Sequence, residues 1–279
     1  MVLLIFLPQE NKNIIAIKKI YLPERRTTLM LSKSHIKFIK SLQIKKFRKE
    51  HGLFLVEGRK NIAELLQSGF ETKMLAGTKS FIEEVGKTIK KQVEVYEIKQ
   101  DVLDSITTLE HNEAGVAVVK VPTTNNLPTP DKNRLYLLLD GLQDPGNLGT
   151  IIRTADWFGL QTIFCTPNTV ELYNPKVIAA TMGSFLRVNV HYENAKFILE
   201  TFKKQGIPVI GSVLKGKDLN TVTFRSGLLV VGNEGKGISD EILKQIDLPV
   251  TIPGYGDAES LNAAVATGII LYRVKVEGS

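Results

Sequence analysis

Residues 135–140, LYLLLD, restrict the fold more than any other stretch of this chain. An unbroken apolar run has no polar face to offer water, so it must be covered on both sides, as strands of parallel sheets are. The next segment has the other period. Leu148, Ile151, Ile152, Ala155 and Phe158 recur at helical spacing, with Arg153 and Asp156 off that face. The turn Asp144-Pro145-Gly146 precedes them, and Asn147 stands where it can cap a helix beginning at Leu148. Further strands are expected at 162–165, 208–211, 228–231 and 248–252, with helices near 175–181, 194–205, 239–246 and 260–273. This alternation predicts an α/β fold, an open parallel sheet with crossover helices.

The first half is built differently. Residues 121–133, VPTTNNLPTPDKN, carry three prolines among polar residues and form a linker. Charge divides at the same place. Residues 1–125 hold 21 Lys+Arg against 14 Asp+Glu, whereas residues 126–279 hold 15 of each, so the whole excess lies before the linker. Between 30 and 122 the pattern is a basic helix at 33–48, strands at 53–57, 73–76, 93–98 and 115–121, and helices at 61–68, 79–90 and 99–107. That is a small α/β sandwich. The expected organisation is an extension over 1–29, a basic domain over 30–122, a linker over 123–133 and a ligand-binding domain over 134–279. Residues 1–29 do not share the pattern that begins at Met30, which makes Met30 a candidate start and 1–29 otherwise a poorly packed extension.

Within the basic domain, Lys33, Lys37, Lys40, Lys45, Lys46, Arg48 and Lys49 occur with no acid among them. Such a cluster attracts polyanions through phosphate contacts and counterion release; a solvated helix face would have the same composition. Lys33, Lys37, Lys45, Lys46, Arg48 and Lys49 are the candidate nucleic-acid contacts. Other classes are disfavoured. The apolar run Val2 to Leu7 is far short of the roughly 20 residues that cross a bilayer, and it lacks the flanks of a signal peptide. A single cysteine, Cys165, excludes an intrachain disulfide, and four scattered histidines show no metal-ligand spacing. The expectation is a cytoplasmic protein without a metal.

Three corners at the carboxyl ends of expected strands carry the chemistry. The first is Asn147 to Arg153, NLGTIIR, where an arginine interrupts an apolar helix. An i,i+3 pair with Asp156 would account for it without function. The second is Gly232 to Gly237, GNEGKG, after the strand at 228–231; Ser239 then caps a helix whose first turn holds Asp240 and Glu241. Its glycine order is neither that of a dinucleotide fingerprint nor that of a phosphate loop. Glu234 would repel a phosphate, so a cationic ligand or an arginine suits it better. The third runs from Ile252 through Ser260 and Asn262 into the small-residue stretch Ala263 to Gly268, with Ser260 starting a helix. Each alone could be a tight connection; ligands of open α/β sheets nonetheless sit at such strand ends.

Taken together, the three corners resemble the SpoU (TrmH-like) methyltransferases of the knotted SPOUT class. The matching segments are Asn147 to Arg153, LVVGNEGKGIS from Leu229 to Ser239, and IPGYGDAESLNAAVATGI from Ile252 to Ile269, within residues 134–273. FLVEGRKNIAELL, from Phe54 to Leu66, is similar to the family's substrate-binding domain. Gly254 departs from the pattern, since many members have methionine there. The resemblance implies a trefoil-knotted C-terminal sheet and S-adenosylmethionine held near Gly232, Ile252 and Leu261, with Val213 adding to that wall. It also implies a homodimer with the site at its interface, and a functional polar set of Asn147, Arg153, Glu234, Ser260 and Asn262. Glu234 is expected to fix Arg153 or Asn147, and Ser260 and Asn262 to organise the site.

The implied reaction is methyl transfer to a ribose 2′-OH of RNA, ribosomal RNA ahead of tRNA. The resemblance makes Arg153 the candidate base. Deprotonating a guanidinium at neutral pH costs roughly 7 kcal/mol, which favours a positioning role instead. A non-catalytic RNA-binding assembly protein is the alternative from another class. A nicotinamide-dependent oxidoreductase is disfavoured by the glycine order.

Overall fold

A computed structural model describes residues 29–123 and 127–277. The region before the linker begins with α1 (Lys33–Ser41) and α2 (Lys45–His51), and continues β1 (Leu53–Glu57), α3 (Arg59–Gln67), β2 (Thr72–Gly77) and α4 (Lys79–Val85). It closes with β3 (Glu94–Glu97), α5 (Gln100–Ile106) and β4 (Gly115–Lys120). The four strands form one sheet in the order β1-β4-β2-β3. Alternation divides its side chains: Phe54, Val56, Leu75, Ala117 and Val119 pack toward α3 and α4, and Leu55, Met74, Ala76, Val116 and Val118 toward α1 and α5. The expected sandwich is present.

One expectation changes. The basic stretch is two helices, broken at 42–44, where Ile44 is extended. The break turns α2 so that Arg48 points inward. Its guanidinium donates to the carbonyls of Leu42 (3.0 Å) and Gln43 (2.8 Å), so it satisfies acceptors that the end of α1 leaves open. Residues 1–28, and with them most of the expected extension, lie outside the described residues. Leu29 donates its N–H to the Val95 carbonyl (2.9 Å).

After the linker come β5 (Leu135–Leu139), α6 (Pro145–Trp157), β6 (Thr162–Cys165), α7 (Pro175–Thr181), β7 (Asn189–Tyr192) and α8 (Ala195–Lys204). Next are β8 (Val209–Asp218), β9 (Gly227–Val231), α9 (Asp240–Leu243), β10 (Leu248–Thr251) and α10 (Ala263–Glu277). The sheet order is β10-β8-β9-β5-β6-β7, and every pairing in it is parallel. Leu137 and Leu139 face α6, α7 and α10, while Tyr136 and Leu138 face α8 and α9. Parallel alignment places all the strand carboxyl ends, and so all three corners, on one edge of the domain. β7 was not expected: Val190 is its single buried side chain, which leaves an edge strand almost no apolar signal.

The two domains share a core. Phe54 of β1 lies 4.4 Å from the Tyr173 ring, and Phe185 meets both Phe54 and Phe70 edge to face. Arg48, 3% exposed, donates through Nε to Glu171 Oε1 at 2.8 Å across the same boundary.

Candidate active site

The first corner is set by a cap other than the expected one. Asp144 Oδ1 accepts the Asn147 N–H at 2.7 Å, and Pro145 occupies the first helical position. The helix therefore starts before Asn147, whose side chain, relieved of capping, is buried and free for other partners. Its Nδ2 donates to Glu234 Oε1 at 3.0 Å, and its Oδ1 accepts from Asn262 Nδ2 at 2.8 Å. One amide thus joins all three corners.

Glu234 is fixed from several directions. The N–H groups of Asp144 and Gln143 donate to it at 3.2 and 3.3 Å in addition to Asn147. Burial alone would raise its carboxyl. The hydrogen bonds from the Asn147 amide, its own N–H, Asp144 and Gln143 outweigh that and hold it below the usual carboxylate range. Glu234 is therefore an anion at neutral pH. Of the two expected partners it takes Asn147 and not Arg153.

The second corner folds back on itself. Asn233 and Gly237 exchange backbone hydrogen bonds of 2.9 Å, and Asn233 Oδ1 accepts the N–H groups of Gly235 and Lys236 at 3.0 Å. Asn233 Nδ2 donates to the Gly141 carbonyl at 2.7 Å, tying the loop to the end of β5. A Cβ on Gly232 would lie 2.2 Å from the Gly237 carbonyl carbon, so glycine is required there by the loop's own return. Ser239 holds the N-cap position of α9 without a side-chain cap bond; its N–H goes to buried Asp140 Oδ2 at 2.8 Å. The helix is one turn long, shorter than its sequence suggests.

In the third corner the helix begins at Ala263, three residues later than expected, because Asn262 caps it. Asn262 Oδ1 accepts from Ala264 N–H (2.9 Å) and Val265 N–H (3.3 Å), which leaves its Nδ2 for Asn147. Ser260 is exposed in the preceding loop and makes no hydrogen bond among the described residues. Tyr255 in that loop is 95% exposed.

Arg153 lies on α6 with Asn147. It is exposed, with no hydrogen bond or ion pair among the described residues. The i,i+3 pair with Asp156 is absent, because Asp156 accepts from Arg187 Nε at 2.8 Å.

Of the expected cofactor wall, Val213, Gly232 and Ile252 are partly buried; Val213 lies within β8, where its pairing with β10 is interrupted, and Gly232 and Ile252 directly follow β9 and β10, in the sheet order β10-β8-β9. The Thr251 hydroxyl donates to the Val213 carbonyl, joining β10 to β8 there. Leu261, 49% exposed, sits on the loop that follows. An open groove of about 430 Å³ is lined by Val213, Leu214, Lys215, Leu243, Ile246 and Pro249, so of the expected wall only Val213 borders it. Glu234, a fixed carboxylate just past β9, suits a ligand with a cationic centre and would repel a phosphate.

Lys33, Lys37, Lys40, Lys45, Lys46 and Lys49 are exposed, and Lys45 also approaches Glu171 at 3.9 Å. Arg48 does not belong with them, since its guanidinium is buried between the domains. Asp140, Asp144 and Asn233 hold the corners in place and were not singled out from the sequence. A carboxylate ending an otherwise apolar strand was the available sign for Asp140.

Residues 134–272 match the SpoU rRNA methylase family, and residues 33–117 match an MRM3-like substrate binding domain. The chain is 33% identical over 243 residues to 23S rRNA (guanosine(2553)-2′-O)-methyltransferase RlmP of Bacillus subtilis, covering 86% of this chain and 95% of that one. Among solved structures it is similar to the SpoU methyltransferase AviRb of Streptomyces viridochromogenes in complex with AdoMet (26% identity, TM-score 0.79, 89% of this chain and 99% of that one). It is also similar to the AdoMet-bound rRNA methyltransferase of Sinorhizobium meliloti (29% identity, TM-score 0.78, 90% and 97% covered). With both domains matched and a relative 33% identical over 86% of this chain, the chain is a methyltransferase of the SpoU rRNA methylase family.

Proposed function

We infer that this enzyme transfers a methyl group from S-adenosylmethionine to a ribose 2′-OH of RNA, with ribosomal RNA as the substrate class. The observation that carries the reading is the hydrogen-bonded chain Asn262–Asn147–Glu234, which gathers three distant segments, with an unpartnered Arg153 on the same helix as Asn147. The substrate class is favoured by the rRNA acted on by the Bacillus relative and by its near full-length similarity.

Val213, Gly232, Ile252 and Leu261 would hold S-adenosylmethionine, which when bound would supply the activated methyl group. Asn147, Glu234 and Asn262 keep the corners in register. Arg153, with Ser260 in the loop before α10, holds the ribose and an adjacent phosphate for in-line attack. The guanidinium serves as a fixed cation and donor, and the hydroxyl proton leaves late, through phosphate or water. The exposed lysines of α1 and α2 grip the RNA, so residues 30–122 bind and residues 134–279 react.

A second copy of the chain is expected to complete the site. Leu261, Val265, Ile269, Tyr272 and Val276 form an exposed apolar stripe along and just before α10, which packs on α6, the helix that bears Arg153. The family's trefoil knot is expected in the sheet domain. A cytoplasmic place fits an RNA substrate; among the described residues no helix is long and apolar enough to cross a membrane.

The test is to map 2′-O-methyl marks on rRNA and tRNA from cells with and without the gene. Loss of one rRNA mark, restored by the wild-type chain and not by Arg153→Ala, is the expected outcome. Loss of a tRNA mark would move the substrate, and no change in either RNA would remove the activity.

A further inference from the structure

Arg153 and Asp156 are three residues apart on α6, a spacing at which opposite charges on a helix meet. Left to itself, the Asp156 carboxylate would close on the Arg153 guanidinium and compete with any phosphate for it. It is held elsewhere. Arg187 donates Nε to Asp156 Oδ2 at 2.8 Å and Nη1 to Glu64 Oε2 at 2.7 Å, so one planar fork engages a carboxylate from each domain.

The backbone is shaped for this contact. Arg187 follows a 3₁₀ turn, Ser184–Leu186, reached through Met182 (φ 50°) and Gly183 (φ 93°), both left-handed. Met182 is the one non-glycine residue with positive φ among those described, a conformation seldom kept without a reason. A Cβ on Gly183 would lie 2.4 Å from Glu64 Oε2, so a larger residue here would have to shift the carboxylate that Arg187 holds.

We propose that Arg187 is a positioning residue for the reaction: by occupying Asp156, it keeps the neighbouring carboxylate off Arg153 and leaves that guanidinium free for RNA. The proposal rests on the assignment of Arg153 to the RNA, and its test separates the two.

Single-turnover methylation by the full-length chain is compared for wild type, Arg187→Ala, Asp156→Asn, the double variant Arg187→Ala/Asp156→Asn, Glu64→Gln and Arg153→Ala, with melting curves confirming that each folds. Arg187→Ala is expected to lower kcat/KM by about three- to fivefold, the scale of a partly exposed ion pair. Asp156→Asn and Glu64→Gln are expected to keep wild-type turnover, and the double variant to return to it, because no carboxylate remains to capture Arg153. A merely structural Arg187 would give a double variant as slow as the single one, and that result overturns the proposal. So does an unchanged Arg187→Ala in a background where Arg153→Ala is inactive. A fully active Arg153→Ala overturns the assignment of Arg153 itself, and the proposal with it.

Discussion

At the scale of single residues, the site is held by side chains that each serve two partners. Asn262 caps α10 with its oxygen and reaches Asn147 with its amide nitrogen. Asn262→Asp keeps the acceptor and removes the donor. It should melt within about 1 kcal/mol of wild type, because the cap survives, yet lose methyl transfer by tenfold or more. Equal loss of stability and turnover would reduce the residue to a cap. Glu234 gives a pH signature. Its folded-state pKa lies below the unfolded value, so the stability it contributes is present above pH 4.5 and is lost as pH falls through the lower folded value. Acid titration of stability should show this loss in wild type and a smaller one in Glu234→Gln; identical profiles would mean that its hydrogen bonds do not favour the ionised form.

At the scale of elements, the break between α1 and α2 decides which basic residues can meet RNA. Arg48→Ala leaves Glu171 without its buried partner and should cost roughly 3 kcal/mol, measured by denaturant unfolding. Lys46→Ala should leave stability within about 0.5 kcal/mol and weaken RNA binding. The reverse pattern would return Arg48 to the RNA surface. Gly149 shows how closely α6 packs on α7: a Cβ there would lie 2.4 Å from the Ala180 Cβ. Gly149→Val should cost about 1–3 kcal/mol by overpacking, whereas Gly254, with nothing within 4 Å of a Cβ, should accept methionine without loss.

These elements also mark how far the sequence could be read. The run at 135–140, the apolar face of α6 and every strand of both sheets but one were legible, because burial on both faces or on one stripe leaves a period in the residues. β7 was hidden, since an edge strand with one buried side chain carries none. The start of α6 was misplaced because Asp144, with Pro145 behind it, outcompetes Asn147 for the cap. Each corner could be recognised, but its partners could not: Asn147 meets residues 87 and 115 positions away, and chain spacing says nothing about such pairs. Arg48 was misread for the same reason, because composition cannot tell an exposed cation from one facing Glu171 in another domain.

At the scale of the molecule, the proposed division of labour is electrostatic. The positive excess lies before the linker, and the neutral domain after it holds the site. If the exposed lysines neutralise phosphates, log K for RNA should fall with log salt at a slope of about −0.7 to −0.9 per contact. Replacing Lys33, Lys37 and Lys46 together by alanine should flatten that slope by about two to three units while S-adenosylmethionine binding stays unchanged. An unaltered slope would make α1 and α2 a solvated face. The central claim is that this fold moves a methyl group to a ribose hydroxyl through the assembled corners. It is tested most directly by single-turnover transfer from methyl-labelled S-adenosylmethionine to rRNA, with nuclease digestion and identification of the labelled nucleoside. Label is predicted on a ribose 2′-oxygen, present with wild type and lost with Arg153→Ala although that variant still binds S-adenosylmethionine. Label on a base, or full transfer by Arg153→Ala, would contradict the claim.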